Sequence, residues 1–249
     1  MAEGLARAAA LVQAARDVVV FTGAGISTES GIPDFRSPGG LWSRFDPRQF
    51  TFDKFVASAE ARRLYWEMGR EVGPVLRRAE PNAGHHAIAR MMAAGKVSCV
   101  ITQNIDGLHQ KAGCAAEKVI ELHGTAHRVG CLSCTKEWPR EEIEGWVEGG
   151  VADPRCDACG GMLKPRTISF GQAMPQHETA LAFERAAACD LLLTVGTSLV
   201  VYPAASLAPA AKQAGARLVI VNLEPTDYDE IADAVVHAKA GEALPRLYT

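Results

Sequence analysis

The sequence predicts a doubly wound, Rossmann-like α/β fold with a parallel sheet and a small second lobe, on three observations. Short, nearly bare apolar runs recur along the 249 residues, and helical patterns lie between several of them. Two stretches break that rhythm: one is rich in aromatics and arginine, and the other holds two CxxC pairs.

The apolar runs fall at 18–21, 97–101, 119–122, 191–195, 218–221 and 234–236. Uncharged β-branched runs of this length are typical of parallel strands covered on both faces. The N-terminal stretch is apolar enough to resemble a signal peptide, but Glu3, Arg7, Gln13, Arg16 and Asp17 interrupt it. It reads instead as an amphipathic helix leading into the first strand. Asn82 can cap a helix running to about Met92, and alanine-rich helices fit 176–188 and 204–214. Such alternation defines a doubly wound sheet.

Residues 37–79 carry no convincing strand and read as a helical insertion, while 128–163 hold the CxxC pairs. The expected nucleotide-binding domain is therefore 1–36, 80–127 and 164–249, and the two insertions form the small lobe. A cleft between lobes is a usual place for a ligand. There is no internal repeat and no low-complexity linker.

Composition narrows the function. At 48% apolar the chain can bury one substantial core. A net charge of −3 and a pI near 6.2, with no basic run, argue against a dedicated nucleic-acid binder. No run of about 18 uncharged apolar residues is present to span a membrane. Seven cysteines, an odd number, fit a reducing compartment, and a soluble cytoplasmic protein is expected. Cys99, Cys114 and Cys189 read as small, partly buried core residues.

The other four, Cys131, Cys134, Cys156 and Cys159, form two CxxC pairs separated by 21 residues. Each pair puts two thiolates within reach of one ion, and together they make an all-sulfur tetrahedral shell. No position remains for water, so one zinc ion with a structural role is expected. Two disulfides or four unrelated thiols are the competing readings, and the turn residues Gly130, Asp157, Gly160 and Gly161 beside the pairs speak against them.

After the first strand, the glycines of Thr22-Gly23-Ala24-Gly25-Ile26-Ser27 allow a tight turn and backbone approach to a pyrophosphate. The third glycine of the dehydrogenase fingerprint is missing, since Thr28 stands there. The acid expected about 20 residues on is missing as well, the nearest candidate being Glu224. Hydride transfer is therefore disfavoured. After the second strand, Gln103, Asn104 and Asp106 bring two amides and a carboxylate to the edge where parallel sheets bind ligands. A helix N-cap explains one of these residues but not the cluster. His123, in Glu121-Leu122-His123-Gly124, lies at another strand end. A lone histidine is more often structural than catalytic, and its position here leaves both readings open.

Together these residues resemble a family. GAGISTESGIPDFR at 23–36, TQNIDGLH at 102–109, ELHG at 121–124, the four cysteines, GTSL at 196–199 and VNLE at 221–224 resemble the sirtuins, NAD-dependent protein-lysine deacylases. The resemblance covers nearly the whole chain, with the motifs in the family's order. It implies that Gly23, Ala24 and Gly25 cradle the pyrophosphate of NAD, and that Asp34, Phe35 and Arg36 belong to a loop closing over the nicotinamide ribose. It further implies that Gln103, Asn104, Ile105 and Asp106 line the nicotinamide pocket, with Asp106 accepting from the carboxamide. Gly196, Thr197, Ser198, Asn222, Leu223 and Glu224 would hold the adenosine end, with Ala240 closing the adenine pocket.

In the implied reaction the substrate's amide oxygen attacks C1′ of the nicotinamide ribose, nicotinamide leaves, and His123 acts as general base on the ribose hydroxyls, with Asn104 also catalytic. The products are nicotinamide, O-acyl-ADP-ribose and deacylated lysine. The partner is an acylated-lysine protein or peptide bound as an added strand, here along 167–171, with neither nucleic acid nor membrane involved. Gln172 and Arg166 depart from the family's pattern beside that edge and bear on peptide choice. The family's acid-preferring branch pairs a tyrosine with an arginine three residues later; here Tyr65 is followed by Met68, so acetyl is expected over succinyl, with Arg62 and Arg70 as the other candidate cations. Two other functions stay in view: protein mono-ADP-ribosylation, and a non-catalytic NAD-sensing or zinc-ribbon adaptor. The sequence carries no signal for oligomeric state.

Overall fold

The computed structural model describes residues 2–34, 40 and 43–248. Helix α1 (Ala2–Ala14) leads into β1 (Val18–Thr22), followed at once by a 3-10 helix (Ala24–Ser30). Helices α2 (Phe52–Ala57), α3 (Ala59–Arg78) and α4 (Ala83–Ala93) precede β2 (Val97–Thr102), α5 (Leu108–Lys111) and β3 (Val119–Glu121). Next come β4 (Gly124–Cys131), β5 (Glu137–Pro139), α6 (Arg140–Glu148) and β6 (Leu163–Thr167). The remaining elements are α7 (Gln176–Ala188), β7 (Leu191–Val195), α8 (Leu207–Gln213), β8 (Arg217–Val221), β9 (Ala234–Val236) and α9 (Ala240–Ala243).

The apolar runs pair into a six-stranded sheet in the order β3-β2-β1-β7-β8-β9. Every pairing in it is parallel. Counting only these strands, the order is 3-2-1-4-5-6, that of a Rossmann sheet. Alternate residues of β1 serve opposite layers. Val18 and Val20 pack with Leu5, Ala8 and Val12 of α1 and with Ile88 and Met91 of α4. Val19 and Phe21 pack with Ala182 and Ala186 of α7 and with Ala208 and Ala211 of α8. Burying a Val or Phe side chain stabilises by roughly 1.5 to 3 kcal/mol, which is why a strand with no polar face suits this position. The topological switch point lies between β1 and β7, whose chains diverge to opposite halves of the sheet.

The helix expected over 204–214 is shorter than that. A 3-10 turn (Ala204–Ser206) comes first, and α8 begins at Leu207. Pro209 explains the delay: in a helix begun at 204 it would lack the N–H owed to Ala205 and clash with that carbonyl, whereas in the first turn of α8 it breaks nothing. Among the described residues no helix is long and apolar enough to cross a membrane.

A second, three-stranded antiparallel sheet, ordered β5-β4-β6, spans residues 124–167 and so reaches beyond 128–163 on both sides. Trp66 of α3 is buried among Val129, Trp138, Ile143, Val147, Leu163, Cys131 and Cys156, so the helical insertion and the cysteine module share one core. Arg62 joins them by charge. Its guanidinium, almost wholly buried, donates to both carboxylate oxygens of Asp153 at 2.9 Å and to the carbonyls of Phe55 and Val56. A buried cation is tolerated only when paired and hydrogen-bonded in this way. Replacing it by leucine strands a carboxylate and two carbonyls, so Arg62→Leu is expected to lower unfolding stability by about 3 kcal/mol in urea denaturation. A loss below about 1 kcal/mol would show that Asp153 and its second partner Arg155 hold the joint without Arg62.

Candidate active site and metal centre

Where β1 and β7 end, their loops touch backbone to backbone. Gly25 N–H donates to Gly196 O at 2.8 Å, and Gly23 N–H to Val195 O at 3.1 Å. Gly196 has φ of 60°, and a Cβ there would lie 2.3 Å from Ile26 N. A Cβ on Gly25 would lie 2.8 Å from Gly196 Cα. Both positions therefore demand glycine, to let two strand ends meet. This changes the sequence expectation in one respect: the N–H groups of Gly23 and Gly25 are engaged by β7 and its loop, so these two amides are not turned toward a ligand. Ala24, half-buried between them, starts the 3-10 helix.

The Gln103–Asp106 segment crosses the same edge and is fastened to these loops by side chains. Gln103 Nε2 donates to Thr197 Oγ1 at 2.9 Å, and Asn104 Nδ2 to Gly23 O and Ser27 Oγ, each at 3.1 Å. Asp106 Oδ2 accepts from Ser27 Oγ at 2.7 Å and Oδ1 from Leu108 N, the first residue of α5, at 2.9 Å. Asn104 and Asp106 are buried; Ile105 is half-buried, and its carbonyl accepts from Ala126 N–H. His123, just past β3, has Nδ1 3.0 Å from Gln103 O. A carbonyl only accepts, so Nδ1 carries the proton and Nε2 the lone pair. Burial pushes the imidazole below its ordinary value of 6.5, partly offset by that hydrogen bond. The ring is therefore a neutral base near pH 7.

Gly23, Gly25, Gln103, Asn104, Asp106, Thr197 and His123 are thus brought together by direct contacts. Ser198 is exposed one residue on, beside Leu199, a non-glycine residue at φ 55°. Asn222 follows β8, its N–H bonded to Val236 O and its Nδ2 to Glu224 O; Leu223 and Glu224 are exposed. Ala240 opens α9 and is buried in the core near Gly84. Asp34 is half-buried; Phe35 and Arg36 lie outside the described residues. Sequence reasoning missed Ser27, the shared partner of Asn104 and Asp106, and Thr22 and Thr102, buried hydroxyls at the ends of β1 and β2. The available signal was a polar residue closing each of two apolar runs.

The four cysteines converge. Their sulfurs all lie within 4.8 Å of one another, with Cys131 to Cys159 at 3.5 Å and Cys134 to Cys156 at 3.7 Å. A tetrahedral ion with Zn–S bonds of about 2.3 Å requires sulfur separations of about 3.8 Å, so four thiolates of this geometry fit one zinc. Cys131 ends β4 with its N–H on Lys136 O, and Cys156 N–H meets Gly161 O at 2.8 Å, which closes each pair into a tight knuckle. None of the residues at the sheet edge belongs to this cluster.

Fold and site together define a Rossmann-type dinucleotide domain with a zinc-ribbon lobe and a buried amide, carboxylate and histidine cluster at the switch point. The description Sir2 family matches residues 23–203. The chain belongs to the Sir2 family. It is 46% identical over 244 residues to the NAD-dependent protein deacetylase of Rhodopseudomonas palustris, covering 98% of this chain and 96% of that one. A solved Sir2 complex with deacetylated p53 peptide and 3′-O-acetyl ADP-ribose superposes with a TM-score of 0.90 at 36% identity, covering 96% of this chain and 95% of that one. A Sir2–p53 peptide–NAD⁺ complex gives 0.86 at 36% identity, with 96% and 94% covered.

Cys156→Ser leaves three thiolates and a weak oxygen donor. The expected outcome is loss of zinc in metal analysis together with a lower melting temperature, since metal binding here is coupled to folding of the lobe. Unchanged melting of a zinc-free variant would separate the metal from the lobe's stability.

Proposed function

We propose that this chain is an NAD-dependent protein-lysine deacylase, releasing nicotinamide and O-acyl-ADP-ribose and returning free lysine. The observation that carries this reading is a neutral His123 with Nε2 as its base nitrogen, joined through Gln103 to Asn104 and Asp106 at the carboxyl edge of the sheet. NAD, when bound, supplies an electrophilic ribose C1′ and nicotinamide as leaving group.

The chain's residues do the rest. Asp106 has lone pairs beyond those taken by Ser27 and Leu108 and accepts from the nicotinamide carboxamide, with Gln103 and Ile105 beside it. Asn104, its amide nitrogen held by Gly23 and Ser27, keeps Oδ1 for a ribose hydroxyl. His123 Nε2 takes a proton from that ribose, and its Nδ1–H bond to Gln103 O holds the ring in the required tautomer. Gly23, Ala24 and Gly25 form the wall beside the pyrophosphate. Gly196, Thr197 and Ser198 with Asn222, Leu223, Glu224 and Ala240 hold the adenosine end, while Asp34, Phe35 and Arg36 close over the ribose and exclude water. Zinc, held by the four cysteines, takes no part in bond-making.

An acylated-lysine peptide lies along 167–171 between the two lobes, the small one comprising 37–79 and the sheet region 124–167. Ile168 N–H donates to His123 O at 2.9 Å, which sets this edge directly beside the base. The three thiols outside the metal cluster, Cys99, Cys114 and Cys189, are buried and form no disulfide, which fits a cytoplasmic enzyme. Mass spectrometry of the products tests the reaction: O-acyl-ADP-ribose supports it, and ADP-ribose attached to protein would replace it with mono-ADP-ribosylation.

His123→Ala is expected to lower turnover by roughly 10² to 10⁴-fold while NAD affinity changes only a few-fold, because a general base acts in the transition state. In the native enzyme, activity is lost as pH falls and Nε2 is protonated. With the imidazole shifted down by burial, the acid limb of kcat/KM should have its midpoint below 6.5. A midpoint above 6.5 would assign the limb to another group.

Acetyl-lysine should be preferred over succinyl-lysine. Arg62 is committed to Asp153 and two carbonyls and so is not available to replace a cation at Met68, which leaves the exposed Arg70 as the other candidate named from the sequence. The structure adds one cation that sequence reasoning overlooked: Lys164 Nζ lies 5.8 Å from the Tyr65 ring centre and donates to Thr167 O and Pro165 O. A higher kcat/KM for the succinyl peptide would sink the preference and point to Arg70 or Lys164 as the carboxylate's partner.

A further inference from the structure

Two histidines outside the assigned site are buried more completely than His123. His85, in the first turn of α4, is 0% exposed and His109, in α5, 1%. Their rings are 5.0 Å apart between centres. His85 Nε2 and His109 Nδ1 are both buried and have no hydrogen-bond partner within the protein. Two stranded polar atoms on neighbouring rings require an account, since each such atom costs about 1 to 3 kcal/mol.

The tautomers follow from the bonded nitrogens. Thr22 Oγ1 donates its single proton to Thr102 Oγ1 at 2.8 Å. Toward His109 Nε2, 2.9 Å away, Thr22 can then only accept, so His109 carries its proton on Nε2 and a lone pair on Nδ1. On the other ring, Asn82 N–H donates to His85 Nδ1 in the cap of α4, so His85 carries its proton on Nε2. The two unpartnered atoms are thus one donor, His85 Nε2–H, and one acceptor, His109 Nδ1, on neighbouring rings but not bonded to each other.

Beyond Thr22 the chain continues into the site. Thr102 Oγ1 also accepts from Asn104 N–H at 3.0 Å, within two residues of Asp106. At its other end, Asn82 Nδ2 donates to Ile26 O at 2.7 Å and Ser30 Oγ at 3.0 Å, in the 3-10 helix after the glycine turn. We propose that His109 is a positioning residue for the reaction, holding Asn104 through Thr22 and Thr102, with the His85 ring packed against its far side. This rests on the deacylase reading for its kinetic consequence, though the hydrogen-bond chain itself does not.

His109 must stay neutral, because a second proton on its Nδ1 would be buried with no acceptor. Burial holds the His109 imidazole down at about 3 and pulls His85 below its ordinary value despite the Asp106 carboxylate, with His86 adding to the lowering. A simple packing role for two small aromatic rings predicts none of the tautomers above.

The test has a spectroscopic and a kinetic arm. Long-range ¹H–¹⁵N spectra of the histidine rings in the full chain at pH 6 should show His85 and His109 neutral, each protonated on Nε2. An Nδ1–H tautomer or an imidazolium for His109 would overturn the proposal. In the kinetic arm, His109→Gln keeps an N–H for Thr22 and His109→Leu does not. His109→Leu should lower kcat by roughly 10-fold or more, since small misplacements at a reacting centre reach about 10²-fold, with the KM for acyl peptide within about 2-fold. His109→Gln should recover kcat to within about 3-fold of wild type, and the Asn104 side-chain amide resonance should move in the Leu variant but not in the Gln variant. A folded His109→Leu enzyme with unchanged kcat, or a Gln variant as slow as the Leu variant, refutes the positioning role. If His109→Leu does not fold, Thr22→Val, which removes the middle hydroxyl, carries the same comparison. A wild-type protein that releases no nicotinamide with any acyl peptide would count against the deacylase reading, while the ring and amide spectra still decide the hydrogen-bond chain.

Discussion

The structure depends on a close approach of backbone to backbone at the switch point. Gly25 and Gly196 meet there with no room for a Cβ on either, and the contact joins the C-terminal ends of the two central strands. In a sheet with apolar cover on both faces, polar side chains that serve a ligand gather at such ends. The meeting of the loops therefore decides where chemistry can occur. Gln103 reaches Thr197 and Asn104 reaches Gly23 because β1, flanked by β2 and β7, brings three loops to one edge. A wider gap at Gly196 would separate the amides from the loop that fixes them.

The second lobe is held to its task by different physics. Its sheet is small, and a module this size has too little apolar surface to fold by itself. It gains a shared core with Trp66 of the helical insertion, the buried Arg62–Asp153 pair, and the thiolate cluster. Glu144 of α6 adds charge ties to Arg77 of α3 and, at 2.6 Å, to Arg140. The lobe joins the large sheet through a short link: β3 ends at Glu121 and β4 begins at Gly124, so His123 stands at the junction. Its carbonyl accepts from Ile168 while its ring bonds back to Gln103. One residue is thereby tied both to the loop after β2 and to the chain just past β6.

The parallel sheet was legible because its strands are bare apolar runs, and all six lie within a residue of where the sequence places them. The zinc cluster was legible because CxxC is a local geometry. The antiparallel strands were not. β6, Leu-Lys-Pro-Arg-Thr, reads as a polar loop, and its one long buried side chain, Lys164, is admitted only because nearby carbonyls take its protons. Arg62 likewise reads as a surface residue of a helix until Asp153, 91 positions away, is found beside it. The glycine turn was found correctly but for an incomplete reason, since the amides of Gly23 and Gly25 hold the neighbouring strand end. What a sequence hides here is the identity of distant partners: a local pattern shows that a residue is polar, not which group will satisfy it.

The histidines make the same point about function. His109 is buried and His123 half-buried, and loss of water shifts both imidazoles in the same direction. Their difference lies in what the second nitrogen meets. In His123 one nitrogen is fixed by a backbone carbonyl, whereas in His109 one nitrogen is bonded to a buried threonine hydroxyl and the other has no hydrogen-bond partner. A motif of the form ELHG or DGLH does not distinguish these situations, because each shows only that a histidine follows a strand, two residues after β3 in one case and in α5 beyond β2 in the other. The acceptor geometry does, since a proton committed to Gln103 O in one ring and to Thr22 Oγ1 in the other leaves opposite surroundings for the remaining lone pair. Near neutral pH burial thus keeps two imidazoles uncharged in different surroundings, one with its Nδ1–H spent on a backbone carbonyl and one with its Nε2–H spent on a buried hydroxyl.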